Sequence, residues 1–163
     1  MVPGLQDAAL PLVARLHVVV RVGEERFAFP VADVEEALDA PSVSWAPGAT
    51  DGVVGQLLCR ERNVSAYDAG WVLGVARDGR TSGALVLRQG PACVALLVDD
   101  VEDLTMVEPQ WIRRVPVSAD IDAVLSGVYR APRRQGGLVG IVRVAGLVAH
   151  AVRRGGGTAA GPS

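Results

Sequence analysis

The chain has 163 residues, half of them hydrophobic, with three Trp, two Tyr and two Phe. That length suits one domain or two small subdomains sharing a core, and an apolar content carried mostly by Val, Ala and Leu leans towards pleated structure. A net charge of −2 with the signs interspersed argues against a binder of nucleic acid backbones, and two cysteines are too few for a disulfide framework or a cysteine-based zinc site.

In chain order, residues 1–14 read as a loose leader without a basic region ahead of an apolar one, so no signal peptide is expected. No window approaches the roughly 18 uninterrupted apolar residues of a membrane span. The chain therefore reads as cytoplasmic, and the triplet "NVS" at 63–65 is not taken for a glycosylation site. "LHVVVRV" (16–22) and "RFAFP" (26–30) form a hairpin about a "GEE" turn. In "VADVEEAL" (31–38) the positions of Val31, Val34 and Leu38 predict one or two turns of amphipathic helix with an acidic outer face. "APSVSWAPGATDG" (40–52) predicts a short strand and a loop. Strands follow near 53–60 and 63–68, then the short apolar turn "AGWVLG". The charged turn "ARDGRTSG" (76–83) is the clearest internal boundary. Beyond it come a hairpin of "ALVLR" (84–88) with "ACVALLV" (92–98), the acidic segment "DDVEDLTMVE" (99–108), and strands "VLSGVYR" (124–130) and "LVGIVRV" (138–144). A small helix "AGLVAHAV" closes the pattern, and residues 153–163 read as a disordered tail. Short strands joined by frequent turns point to small barrels rather than a parallel sheet.

Candidate chemistry is thin. His17 lies in a valine run and His150 among alanines, neither with a Ser, Cys or carboxylate partner at a diagnostic spacing. Cys59 stands beside Arg60, but a free thiol in apolar sequence is usually buried and inert. The group Asp99, Asp100, Glu102 and Asp103 lacks the Gly and the terminal Glu of a calcium loop and reads as a solvated edge. "GVVG" lacks the residues of a phosphate-binding loop. No enzyme and no cofactor are expected.

The order of features resembles the CheW family, the coupling proteins of bacterial chemosensory arrays, over about 16–152. "VVVRVGEERFAFPVADVEEAL" is similar to the family's first hairpin. "PGATDGVVGQLLCRE" is similar to its Pro-Gly-Ala stretch and Asn-Leu-Arg-Gly strand, with Pro47, Gly48, Ala49, Gly55 and Arg60 retained and Asp68 in the place of its aspartate. "VALLVDDVEDL" resembles its Leu-Val-Asp-x-Val-x-Glu segment, and "LSGVYR" its Ile-x-Gly-Val step. Four departures stand out: Leu58 and Glu61 replace the Asn and Gly of Asn-Leu-Arg-Gly, Ser65 replaces a proline, and Arg143 replaces an aspartate. A turn that needs φ > 0 would be awkward at Glu61.

The resemblance implies a mainly β fold of two packed, small five-stranded β-barrel (SH3-like) subdomains with short helices. These would make up one domain over 15–152, divided near 78/79 with room for strands to exchange between the halves. It implies a non-catalytic adaptor coupling a chemoreceptor cytoplasmic tip to the regulatory domain of a CheA-type histidine kinase at receptor arrays, with weak self-association and without nucleic acid or membrane insertion. The protein-binding set it implies is Val34, Glu36, Val54, Gly55, Leu57, Arg60, Asp99 and Val101. Val54 and Leu57 would supply apolar contact, Arg60 would orient the partner, and Asp68 would support a strand end. The alternatives are an accessory scaffold holding one array component, with Glu61 and Arg143 as its marks, and a small-ligand-binding barrel.

Overall fold

The computed structural model describes residues 14–46, 52–114, 124–132 and 137–154. Strands β1 (Arg15–Val22), β2 (Glu25–Pro30), β9 (Asp100–Val107), β10 (Leu125–Arg130) and β11 (Leu138–Val142) form a five-stranded sheet in the order β10-β11-β2-β1-β9. Strands β3 (Val34–Asp39), β4 (Val43–Trp45), β5 (Val53–Cys59), β6 (Arg62–Asp68), β7 (Gly83–Gln89) and β8 (Ala92–Val98) form a six-stranded one in the order β3-β7-β8-β6-β5-β4. The chain is thus mainly β with two sheets, as expected, although the second sheet has six strands rather than five. Helices α1 (Ala69–Leu73) and α2 (Val144–Arg154) complete the fold.

The apolar strands run continuously because both of their faces are buried. In β8 the even-numbered Val94, Leu96 and Val98 face a core shared between the sheets, while Cys93, Ala95 and Leu97 face the interior of the second sheet. In β1 and β2, Val18, Val20, Phe27 and Phe29 likewise face the shared core, and Val19 and Ala28 face the interior of the first sheet with Val107, Tyr129, Val139 and Ile141. Helix α2 lays Val144, Leu147, Val148 and Ala151 on the shared core, the i, i+3, i+4, i+7 spacing of an amphipathic helix.

Two expectations are corrected. Residues 31–38 are not an amphipathic helix: Val31–Asp33 is a single 3-10 turn, and β3 then pairs antiparallel with β7. A bulge between Val34 and Glu36 inserts Glu35 and shifts the register. Val34 therefore meets the shared core while Leu38 meets the second interior, a spacing that mimics a helical period. The apolar turn "AGWVLG" is a short helix, α1, capped by the Asp68 carboxylate, which accepts from Trp71 N at 3.2 Å. Each sheet draws strands from both sides of 78/79. The first joins β1 and β2 to β9, β10 and β11, with β11 parallel to β2, and the second joins β7 and β8 to β3–β6, with β8 parallel to β6. Pro47, Gly48 and Ala49 lie outside the described residues.

Candidate protein-binding surface

The β5–β6 hairpin closes in two residues, with Cys59 paired to Arg62. Arg60 and Glu61 both take positive φ, 51° and 65°, the pattern of a type I′ turn. The turn therefore does demand the conformation that Glu61 was expected to find awkward. The tip is fastened to β3 by charge. Arg62 Nη2 donates to Glu35 Oε2 at 2.9 Å, and Arg88 Nε donates to Glu35 Oε1 at 2.5 Å. The hydrogen bond from Arg88, with the arginine charges around it, holds the Glu35 carboxyl below its ordinary value against the opposing effect of burial. Arg60 Nη2 donates to Glu35 O at 3.3 Å, and its Nε lies 3.6 Å from Glu36 Oε2. The Cys59 thiol donates to that same Glu36 oxygen at 3.4 Å. Burial first, then Glu36, pushes Cys59 up to about 11, so the thiol is protonated at neutral pH and is no nucleophile.

Of the eight residues in the expected binding set, only Glu36 and Arg60 meet at the surface: the Arg60 side chain is 63% exposed and that of Glu36 37%. Val34 and Val101 are half-buried against the shared core. Val54 packs on the interior of the second sheet and Leu57 is buried within it. Gly55 serves the fold, because a Cβ there would sit 2.3 Å from Ser44 O where β4 crosses β5. Asp99 turns inward. Its Oδ2 accepts from Gly23 N at 2.5 Å and from Arg77 Nε at 3.2 Å, while Arg77 Nη1 donates to Asp68 Oδ2 at 2.6 Å. Burial raises the Asp99 pKa, but these donors outweigh it and leave the carboxyl below its ordinary value. The acidic segment is accordingly not a plain solvated edge: Asp99 holds Arg77, and Glu102 Oε1 accepts from Arg26 Nε at 2.7 Å. Asp100 and Asp103 are the exposed members. His17 is buried, its Nδ1 donating to Arg15 O at 3.0 Å, and burial lowers its pKa.

Sequence reasoning missed an apolar stripe. Leu16 on β1 stands opposite Met106 on β9, and Leu104 stands opposite Val18, so the three share the face that continues into the shared core. They remain 40%, 51% and 59% exposed for Leu16, Met106 and Leu104. The available signal was the period-two spacing of Leu104 and Met106 within an otherwise polar run.

The model of the CheW-like domain family matches residues 16–152. This chain belongs to the CheW-like domain family. Members are scaffolds rather than catalysts. Among solved structures, the scaffolding protein TtCheW from Thermoanaerobacter tengcongensis is similar in fold, with a TM-score of 0.68 and 19% identity over 80% of this chain and 89% of that one. No curated protein sequence matches. No helix among the described residues is long and apolar enough to cross a membrane.

Proposed function

We propose that this chain is a coupling adaptor of a chemosensory array, holding a chemoreceptor cytoplasmic tip and the regulatory domain of a CheA-type histidine kinase together on the cytoplasmic side. The observation that carries this reading is the open stripe of Leu16, Leu104 and Met106, continued along β9 by half-buried Val101. Same-face residues on a strand recur about every 6.8 Å and residues i, i+4 on a helix about every 6 Å. An amphipathic helical tip can therefore lay successive apolar side chains along β9. The Arg60–Glu36 pair at the hairpin tip offers exposed charge for orienting a partner, with desolvation rather than net charge setting its worth.

The test is co-sedimentation of the receptor tip with the kinase regulatory domain, with and without this protein, for the parent and for Leu104→Asp and Arg60→Ala. Coupling by the parent and its loss in Leu104→Asp, with the fold intact, is the expected result. Binding of one partner alone would identify an accessory scaffold. Equal binding by the parent and Leu104→Asp would remove the stripe from the receptor site.

A further inference from the structure

A second feature adjoins β9. A cleft of about 1240 Å3 opens beside that strand, over the interior of the first sheet. Its walls include Trp111, Tyr129, Pro132 and Val139, and its rim on β9 carries Glu102 and Asp103. Two consecutive acids share one rim because β9 is bulged. Val19 pairs with Asp103 and Val20 with Val101, so the extra residue Glu102 is accommodated between them. In an unbroken strand Asp103 would face the shared core instead.

The two acids differ in their partners. Glu102 is neutralised by Arg26 at 2.7 Å. Asp103 is exposed and accepts only from its neighbour Leu104 N, at 2.8 Å, with no cation on it among the described residues. Beneath the rim, Tyr129 is 2% exposed and stacks on Trp111 with ring centroids 5.8 Å apart. The Tyr129 hydroxyl has no hydrogen-bond partner among the described residues. Tyr129 is among the residues that line the cleft. Burial, with the Asp103 charge adding to it, pushes that hydroxyl up to about 12, so it stays protonated and neutral. Among the described residues, a nearly buried phenol, the exposed Asp103 carboxylate and a partly open indole form an acceptor set with an aromatic wall. Beside them, β9 pairs only with β1 among the described residues and leaves its outer edge open.

We infer that this cleft binds an arginine side chain carried on an extended segment of a partner protein, laid along the outer edge of β9. A guanidinium supplies planar donors for both the Asp103 carboxylate and the Tyr129 oxygen, and it can stack on the Trp111 ring; an ammonium cannot do all three. Among the described residues, with Glu102 and Arg26 cancelling, Asp103 leaves the cleft one negative charge that a cation complements. The open edge supplies backbone pairing, which is the usual way an extended peptide joins a sheet. The cleft's lining takes in Leu104 and Met106 as well, so the site adjoins the stripe, and Asp103→Asn and Leu104→Asp tell the two contacts apart.

The experiment is a titration of the full-chain, 15N-labelled protein with the blocked peptide Gly-Val-Arg-Val-Gly, read at the β9 amides and the Trp111 indole N–H. The same peptide with citrulline or Glu in place of Arg serves for comparison. Saturable shifts are expected with Arg, weaker ones with citrulline, which keeps the shape and loses the charge, and none with Glu. Asp103→Asn, at an exposed position, should weaken the Arg peptide about tenfold. Tyr129→Phe, which removes one oxygen, should weaken it by a smaller factor while the rest of the spectrum holds. Equal response to the Arg and Glu peptides, indifference to Asp103→Asn, or no shift at millimolar peptide would overturn the assignment. So would shifts at the same residues that depend on protein concentration alone, since a second copy would then occupy the edge.

Discussion

Glu61→Gly tests the strain in the hairpin tip. Arg60 and Glu61 both adopt left-handed backbone, with φ of 51° and 65°. A residue with a Cβ pays roughly 1–2 kcal/mol in that region, where glycine pays almost nothing. Glycine loses about 0.5–1 kcal/mol more chain entropy on folding. Among the described residues, the exposed Glu61 side chain makes no hydrogen bond or ion pair that the substitution would remove. The difference leaves Glu61→Gly more stable than the parent by about 0.5–1 kcal/mol, a rise in Tm of about 1–4 °C for a chain of this size. Glu61→Ala is the control, since it removes the same charge and keeps the Cβ; it should melt within about 0.5 kcal/mol of the parent. Thermal melts by circular dichroism at matched salt, supported by urea denaturation, separate the two variants. A Gly variant no more stable than the Ala variant would refute the reasoning and show that the turn is strained by neither side chain.

Three further outcomes follow from groups inside the fold. Arg77, whose side chain is 2% exposed, holds both Asp68 and Asp99, so Arg77→Met leaves two carboxylates without their cation; it should cost about 3–5 kcal/mol in urea denaturation. Because Asp99 has its pKa lowered on folding, its contribution is complete above the ordinary value of 3.8 and is lost as pH falls below it. Parent stability should therefore drop on acidification through that range, and Arg77→Met should drop less steeply. Cys59 and Cys93 are buried with raised pKa values, so neither should be alkylated by iodoacetamide at neutral pH until urea unfolds the chain, as mass spectrometry would show.

The hairpins β1–β2, β5–β6 and β7–β8 were legible because each joins two apolar runs through a short turn, and that information is local. Strand β3 was not. Its bulge at Glu35 moves Val34 and Leu38 to opposite faces, and the resulting spacing copies a helix. Arg77 lay in the polar run taken for a boundary, and nothing in neighbouring residues says that its guanidinium is enclosed by Asp68 and Asp99 from two other elements. At the surface, the Arg60–Glu36 contact joins two residues that the family resemblance singles out. Leu104 and Met106 were hidden by their acidic neighbours, because exposure on β9 depends on where the second sheet stops covering the first.

The parallel pairings of β11 with β2 and of β8 with β6 bind the two halves of the sequence more deeply than two docked subdomains would be bound. A cut between residues 78 and 79 leaves the first fragment a β1–β2 hairpin without β9 or β11, and β4–β6 without β7 and β8. The second fragment keeps the β7–β8 and β10–β11 hairpins without their neighbours. An isolated two-stranded hairpin is marginal in water, and here each half also exposes its share of the core around Val20, Phe29, Leu85 and Leu96. Fragments 15–78 and 79–152 should therefore each lack a cooperative melt alone and recover one when mixed in equal amounts. A fragment that melts cooperatively by itself would mean that its sheet can close without the strands the other half supplies. The interleaving also bears on the proposed coupling: a partner seated on the Leu104 stripe, as proposed, would touch β9, which follows directly from β8 at the centre of the other sheet. Strain imposed at one binding face thus reaches the second sheet through continuous backbone and a single shared core, not through a loose domain interface.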